Sequence, residues 1–588
     1  MLGVVAFSIL LTWLVCAAVS IGIGSFFLGQ FRKEYALADA YWTGIAIAVA
    51  ILEIYHFMRP IDLGVTTFLA GFGILGTLLN RGSLLAGLKK IRSIGLWTFL
   101  SYSALIILLA VRSAGPCEHY DTGLYGASAV RWAITYPVVP GLANLQGRLG
   151  YNSSVFLCIA ALDQGVWRDL AHHLFVGLII AGLLAYIVPA YFRLLRGTST
   201  SSADWFLSIL LIPAVFWTAE AQIVGSLTDV PAAAACFVAA ALLFRSLSLE
   251  SSARDDASSA VSIQQLNLVV AMPLFVLAIV FKLSTAVIAG LGWIITFLQL
   301  WSLAAKSEKR KQLVAASLLL SAAILLPWFA RGLVQSGYPF YPKAVLGIPV
   351  DWQVPSVAAN WEFAAIRSWA RMPHARLSET QGFRWIGPWV RGNSRNREGL
   401  EVPFLIAMAG GLAGIFALTR RKRPGTWQGL WLLVPSLASC FFWFSQAPDP
   451  RFGEAAIWTT AATLGTLGVV SLIQDRELKW RRITLLGLAA ITAWCLYFRT
   501  LWRLSGRPLL EVHGFLRLPI VKLISKETLS GLVVYVPAEG DQCWDAPLLC
   551  TPYLNKTLRL RQPGSMRSGF VSQGMPDMPE SAGPIPGK

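Results

Sequence analysis

Leu174-Phe175-Val176-Gly177-Leu178-Ile179-Ile180-Ala181-Gly182-Leu183-Leu184-Ala185-Tyr186-Ile187-Val188-Pro189-Ala190-Tyr191-Phe192 carries no charged side chain, and Arg193 and Arg196 follow it at once. A helix rises about 1.5 Å per residue, so roughly twenty apolar residues cross the hydrocarbon layer of a bilayer. The run therefore predicts one membrane-spanning helix over about 170–192. Comparable runs recur at roughly 3–29, 38–58, 61–80, 94–112, 204–219, 228–247, 267–281, 284–304, 312–334, 401–419, 428–445, 455–473 and 483–501. About fourteen spans result, and the fold class expected is an all-α membrane protein, a polytopic helical bundle.

Composition supports this. The 588 residues are 55% hydrophobic and 14% charged, whereas soluble domains carry about a quarter charged residues. The apolar runs are continuous, which excludes the alternation of a membrane β-barrel. The net charge of +18 sits in short clusters between spans. That pattern marks cytoplasmic connections and not nucleic-acid binding. The clusters are Arg32-Lys33, Lys89-Lys90 with Arg92, Arg193 with Arg196, Arg245 with Arg254, Lys306 with Lys309-Arg310-Lys311, Arg420-Arg421-Lys422-Arg423, and Arg476 with Lys479 and Arg481-Arg482. They fall in alternate connections. The N-terminus, the loops 113–169 and 335–400, the turn 446–454 and everything after 502 are then expected outside. The apolar start lacks a basic n-region and is expected to be the first span rather than a cleaved signal.

The organisation predicted is a transmembrane domain over 1–502, a small extracytoplasmic region over 503–571 and a disordered tail over 572–588. In the small region, residues 531–536 and 558–561 have strand-like composition. Cys543 and Cys550 between them are candidates for a disulfide in an oxidising compartment, with Cys117 and Cys158 as a second candidate pair.

Chemistry-bearing residues concentrate at the outer ends of spans. Tyr120-Asp121-Thr122-Gly123-Leu124-Tyr125 opens the first outside loop, with Glu118 three residues before Asp121. A carboxylate there suits a general base acting on a hydroxyl; the plainer role is a solvated or capping acid. Asp229, before Val230-Pro231, has the position of a helix cap and also faces the outside. Lys282 lies in a tight turn between two spans, where an ammonium would hold a lipid phosphate or snorkel to headgroups. Asp449 and Arg451, bracketed by prolines in Pro448-Asp449-Pro450-Arg451-Phe452, form either a rigid internal pair or part of a site.

The loop 335–400 is rich in arginine on the side that should lack it. Planar, bidentate donors suit phosphate, and solvated loop arginines are the alternative. Ser356 to Met372 has the spacing of an interfacial helix, with Trp361, Ala365, Trp369 and Met372 on one side and Arg367 and Arg371 on a neighbouring face. Tyr338 and Tyr341 offer rings that could stack on sugar or anchor at the interface. No metal-ligand spacing accompanies His172-His173. No nucleotide-binding loop is present in the sequence.

An acid pair after an early span (Glu118, Asp121), an Asp opening a later span (Asp229) and a long outside loop with an interfacial helix together resemble the GT-C superfamily of integral-membrane glycosyltransferases. Tyr120 to Tyr125, Val139-Pro140-Gly141-Leu142-Ala143-Asn144-Leu145, Gly147-Arg148-Leu149-Gly150-Tyr151-Asn152-Ser153-Ser154 and Cys543-Trp544-Asp545-Ala546-Pro547 also resemble a group of bacterial multi-span proteins without an assigned activity. The superfamily resemblance implies transfer of a sugar from a polyprenyl-phosphate donor to a lipid-linked or protein acceptor on the outer face of a bacterial plasma membrane. Asp121 would be the base, and Lys282 and the arginines would meet the leaving phosphate. In many such enzymes the two acids are adjacent. Here they are three apart, a departure that weakens a divalent-metal role. A flippase of lipid-linked glycans and a polysaccharide polymerase or ligase are the competing expectations.

Overall fold

The computed structural model describes residues 2–219, 223–248, 262–304, 308–393, 396–419, 427–473, 478–504 and 517–577. Arg254, Lys306, Arg395, the 420–423 cluster, Arg476 and the end of the tail from 578 lie outside the described residues.

Helices dominate. In chain order they are α1 (Leu2–Leu28), α2 (Leu37–Met58), α3 (Leu63–Leu79), α4 (Arg81–Arg92), α5 (Leu96–Ser113), α6 (Ala127–Thr135), α7 (Val155–Leu162), α8 (Phe175–Arg196), α9 (Ser202–Ile209) and α10 (Leu211–Ala219). There follow α11 (Asp229–Ser248), α12 (Ile263–Phe281), α13 (Ala286–Ala304), α14 (Glu308–Ser336), α15 (Ser356–Arg371), α16 (Ile386–Asn393), α17 (Val402–Thr419), α18 (Leu433–Gln446), α19 (Pro450–Ile473) and α20 (Leu478–Leu504). Among the described residues, twelve helical segments are long and apolar enough to cross a membrane, or thirteen if the bent pair α3–α4 counts as one. The bend is 84°, and it turns the basic α4 away from the axis of α3. The expected span over 483–501 falls within α20.

The core forms around α11. Its run Ala232-Ala233-Ala234-Ala235 is at most 2% exposed, and Phe237 is fully buried. Small side chains let neighbours approach closely, as in other membrane bundles, and α8, α9, α12 and α19 surround it. The same device joins α1 to α3: a Cβ on Gly22 would lie 2.0 Å from the Gly73 carbonyl oxygen.

The described connections between helices fall at two faces of the bundle. On one, Lys90 meets Glu34 at 3.2 Å, Arg193 and Arg245 share Asp204, and Arg482 donates to the Leu195 carbonyl at 3.2 Å. The first long loop rests on the other face. Val138 N donates to His56 O, Gly141 N to Val334 O and Ser154 N to Val280 O. That loop thereby covers the ends of α2, α14 and α12.

The C-terminal region is not a separate body. Its strands β1 (Leu523–Glu527) and β2 (Val533–Pro537) pair antiparallel, as do the shorter β3 (Arg559–Leu560) and β4 (Phe570–Val571). Val534, Leu558 and Phe570 share one apolar cluster with Trp132, Val139, Leu142, Leu145 and Leu149 of the first loop. Cys543 and Cys550 form the expected disulfide. Cys117 and Cys158 do not; both are buried and free, and the Cys117 thiol donates to the Val224 carbonyl. The expected disorder from Ser572 does not hold for 572–577. Ser572 is buried and donates to Asn144 Oδ1 at 2.7 Å, and Asp577 N donates to Leu554 O.

Candidate functional site

Asp121 precedes a π-helical turn, Thr122–Gly126. Such widened turns re-aim side chains and recur at functional sites. Two sets of contacts hold the turn. On the bundle side, Ser226 N donates to Thr122 Oγ1 at 2.9 Å, and the His119 Nδ1 atom lies 3.1 Å from the same oxygen. Gly225 sits at φ +144°, a region that disfavours side chains, and a Cβ there would lie 2.5 Å from Thr122 Oγ1. The segment carrying Asp121 is thus stitched to the one leading into Asp229. On the other side, Trp544 N donates to Gly123 O, Gln542 Nε2 donates to Tyr120 O at 2.9 Å, and the Tyr120 hydroxyl donates to Asp541. Arg131 pairs with Asp545. The disulfide-closed loop 543–550 therefore clasps the Tyr120–Tyr125 motif.

Five expected site residues converge here. Asp121 Oδ2 lies 3.6 Å from Arg451 Nη1, and Arg451 Nη2 lies 3.4 Å from Asp449 Oδ2. Lys282 pairs with Asp229 and stands 4.5 Å above the Phe452 ring. Asp229 is the first residue of α11, where the helix dipole favours a negative charge, and its carboxylate takes Lys282. The 449–452 turn is both a rigid internal pair and a part of the site. Buried His119 faces Asp121, Asp229, Arg451 and Lys282, and burial holds its imidazole below the ordinary histidine range. Three carboxylates share two cations. Asp121 has the long, single contact with a side chain 31% exposed, against 16% for Asp449 and 8% for Asp229. It is the acid most open to a ligand.

Other expectations are placed elsewhere. Glu118 is exposed. Arg371 is buried, donates to the carbonyls of Thr380 and Ser445 at 2.9 Å each, and lies 4.8 Å from the Trp385 ring centre. It clamps its own loop instead of reaching over the mouth, because a buried guanidinium needs acceptors and these carbonyls supply them. Arg367 is half-buried near it, and no described contact joins either to Asp121. The buried stripe of α15 is Ala359, Glu362, Ala365 and Ser368. The tryptophans flank this stripe and do not form it. The buried Tyr338 hydroxyl donates to Val354 O and is structural. His172 and His173 are buried with rings 4.2 Å apart, and His173 Nδ1 lies 2.7 Å from Ser113 O. No group of three or more His, Cys, Asp or Glu among the described residues is arranged to hold a metal ion.

Two groups escaped sequence reasoning. Arg148 Nε lies 3.5 Å from Glu362 Oε1, which also accepts from the Tyr151 hydroxyl. Glu53 pairs with Arg331 at 3.3 Å, both nearly fully buried, and Ser154 donates to Glu53. Arg148 lies in a quoted motif and was visible in principle; the long-range partners of Glu53 and Glu362 left no local signal.

Fold and site define a polytopic helical membrane protein with a charged cluster, roofed by its own C-terminal region, at one face of the bundle. The chain belongs to the family of a domain of unknown function (DUF8201), whose family model matches residues 7–458. No curated protein and no solved structure matches it.

Proposed function

We propose that this protein is a membrane glycosyltransferase that moves a sugar from a polyprenyl-phosphate donor to an acceptor hydroxyl, with Asp121 as general base. The observation carrying the proposal is the convergence of Asp121, Asp229, Lys282, Asp449 and Arg451 from separate elements at one bundle face. The acceptor oxygen attacks the anomeric carbon, its proton passes to the Asp121 carboxylate, and the bond from that carbon to the phosphate oxygen breaks. Arg451 and Lys282 stabilise the charge gathering on the departing phosphate, the kind of preorganised electrostatics that dominates many enzymes. Asp229 and Asp449 hold these cations in place, and the clasp of 541–546 on Tyr120–Gly123 orients the base. Basic connections on the opposite face support a location of the cluster, with both termini, on the outer side of a bacterial plasma membrane.

A flippase would need ionisable residues near the bilayer midplane. The buried Glu53–Arg331 pair lies in the last two turns of α2 and α14, at the same end as the cluster. That favours an enzyme. The test is sugar transfer in proteoliposomes given a polyprenyl-phosphate sugar on the accessible face. A lipid-linked sugar that crosses the bilayer without a covalent product defeats the proposal.

A further inference from the structure

A cleft of about 180 Å³ opens between the first loop, α15 and the C-terminal region. It is smaller than the cavities that hold drug-sized ligands, and it suits a single sugar ring. Its floor comes from the 144–147 segment. Gln146 is 5% exposed; its Nε2 donates to the Leu124 carbonyl at 2.8 Å, and its Oε1 is buried without a partner. A buried acceptor left unpaired is costly, and Gln146 lines the cleft, so a donor from a ligand would satisfy it. Opposite, a Cβ on Gly147 would lie 2.9 Å from Tyr341 Oη and 3.0 Å from Glu362 Oε2. A side chain at 147 would press on both of these cleft-lining oxygens. Trp361 and Tyr553 supply aromatic walls.

We propose that this cleft binds a neutral saccharide and is the acceptor subsite, an assignment that rests on the transferase proposal for the word acceptor but not for saccharide binding. Buried acceptors, a free phenol and aromatic faces match the alternating hydroxyls and C–H faces of a pyranose. No Lys or Arg is among the described residues that line the cleft, and nearby Arg148 is paired with Glu362, so the cleft does not select an anion. A chain of contacts leads from it to the charged cluster. Gln146 is bonded to the backbone of Leu124, within the motif that begins beside Asp121. Tyr341 neighbours Tyr151, and Tyr151 neighbours Tyr125, at ring separations of 6.5 and 5.5 Å. A glycan seated in the cleft therefore extends toward Asp121 along the loop itself.

The test uses the purified full chain in lipid nanodiscs, probed by saturation-transfer-difference NMR with methyl glycosides of neutral hexoses and N-acetylhexosamines. Binding is expected in the millimolar range. Trp361→Ala (loss of an aromatic wall), Gly147→Val (steric filling) and Gln146→Leu (loss of a hydrogen-bonding group), each checked for a monodisperse fold, should weaken it about fivefold or more, about the factor that one neutral hydrogen bond contributes. Asp121→Asn should bind the glycosides normally. Absence of saturation transfer in the folded wild-type chain, equal binding in all three cleft variants, or binding of a Ser/Thr peptide in place of the glycosides overturns the cleft assignment. If glycosides bind in the cleft while Asp121→Asn still transfers sugar, the catalytic proposal fails and the saccharide site stands.

Discussion

Asp121→Asn should separate catalysis from folding. The pair with Arg451 is 3.6 Å long between side chains 31% and 42% exposed. At that exposure solvent screens most of the attraction, and such pairs contribute about 0.2–1 kcal/mol to stability. Asparagine keeps the size and most of the hydrogen bonding. The loss of stability should therefore stay under about 1 kcal/mol, a melting shift of no more than a few degrees. The loss of rate is a different quantity. Removing a general base lowers turnover about 10²–10⁴-fold, which is roughly 3–5 kcal/mol of transition-state stabilisation. The assay is sugar transfer in proteoliposomes, with donor binding and thermal unfolding measured on the same preparation. The expected variant folds, binds donor and transfers almost nothing. Transfer near the wild-type rate by a folded variant refutes the assignment; a large melting shift would show that Asp121 is chiefly structural.

Arg451→Ala should weaken donor binding about ten- to a hundredfold, as expected for a lost charge-assisted hydrogen bond, whereas Arg371→Ala should lower stability through its two carbonyl partners and leave donor affinity unchanged; equal affinities in both variants would remove Arg451 from the site. Lys282→Met leaves the Asp229 carboxylate, 8% exposed, without its cation and should cost about 3 kcal/mol, much of it recovered by adding Asp229→Asn; calorimetry of the single and double variants decides this. Gly123→Val, whose side chain would enter the Trp544 ring 2.5 Å from the Cβ position, should release the C-terminal clasp and expose residues after 517 to protease; unchanged cleavage contradicts the docking. Burial depresses the His119 pKa, so the folded imidazole stays neutral while the unfolded one takes a proton below about pH 6.5. Stability from this group is full above that pH and falls as pH drops toward the folded pKa, and the imidazole NMR titration should show protonation only below the unfolded value.

Much of the site was legible because its residues stand out against an apolar background. Asp121, Asp229, Lys282, Asp449 and Arg451 are charges at the ends of spans, where each needs a partner or a ligand. The arginine loop was read less well. Arg371 has the same local sequence features as a phosphate ligand, and only the carbonyls of Thr380 and Ser445, far apart in the chain, make it a clamp. Gly147 and Gln146 gave no local signal for the cleft, since what they face comes from α15 and from residues after 550.

Run length, charge pattern and residue type by themselves determined that this chain is a helical membrane protein and where its isolated charges lie. Those properties are local: an apolar run of sufficient length must leave water, and basic residues between runs set the charge pattern whatever the helices pack against. Only the tertiary structure decided that Asp121 meets Arg451, that Asp229 takes Lys282, and that the C-terminal region closes over the first loop to form a cleft. Those facts depend on which helix ends pack side by side, a choice made by complementary small and large surfaces such as the alanine run of α11, and residues hundreds of positions apart carry no record of it in their own neighbourhoods.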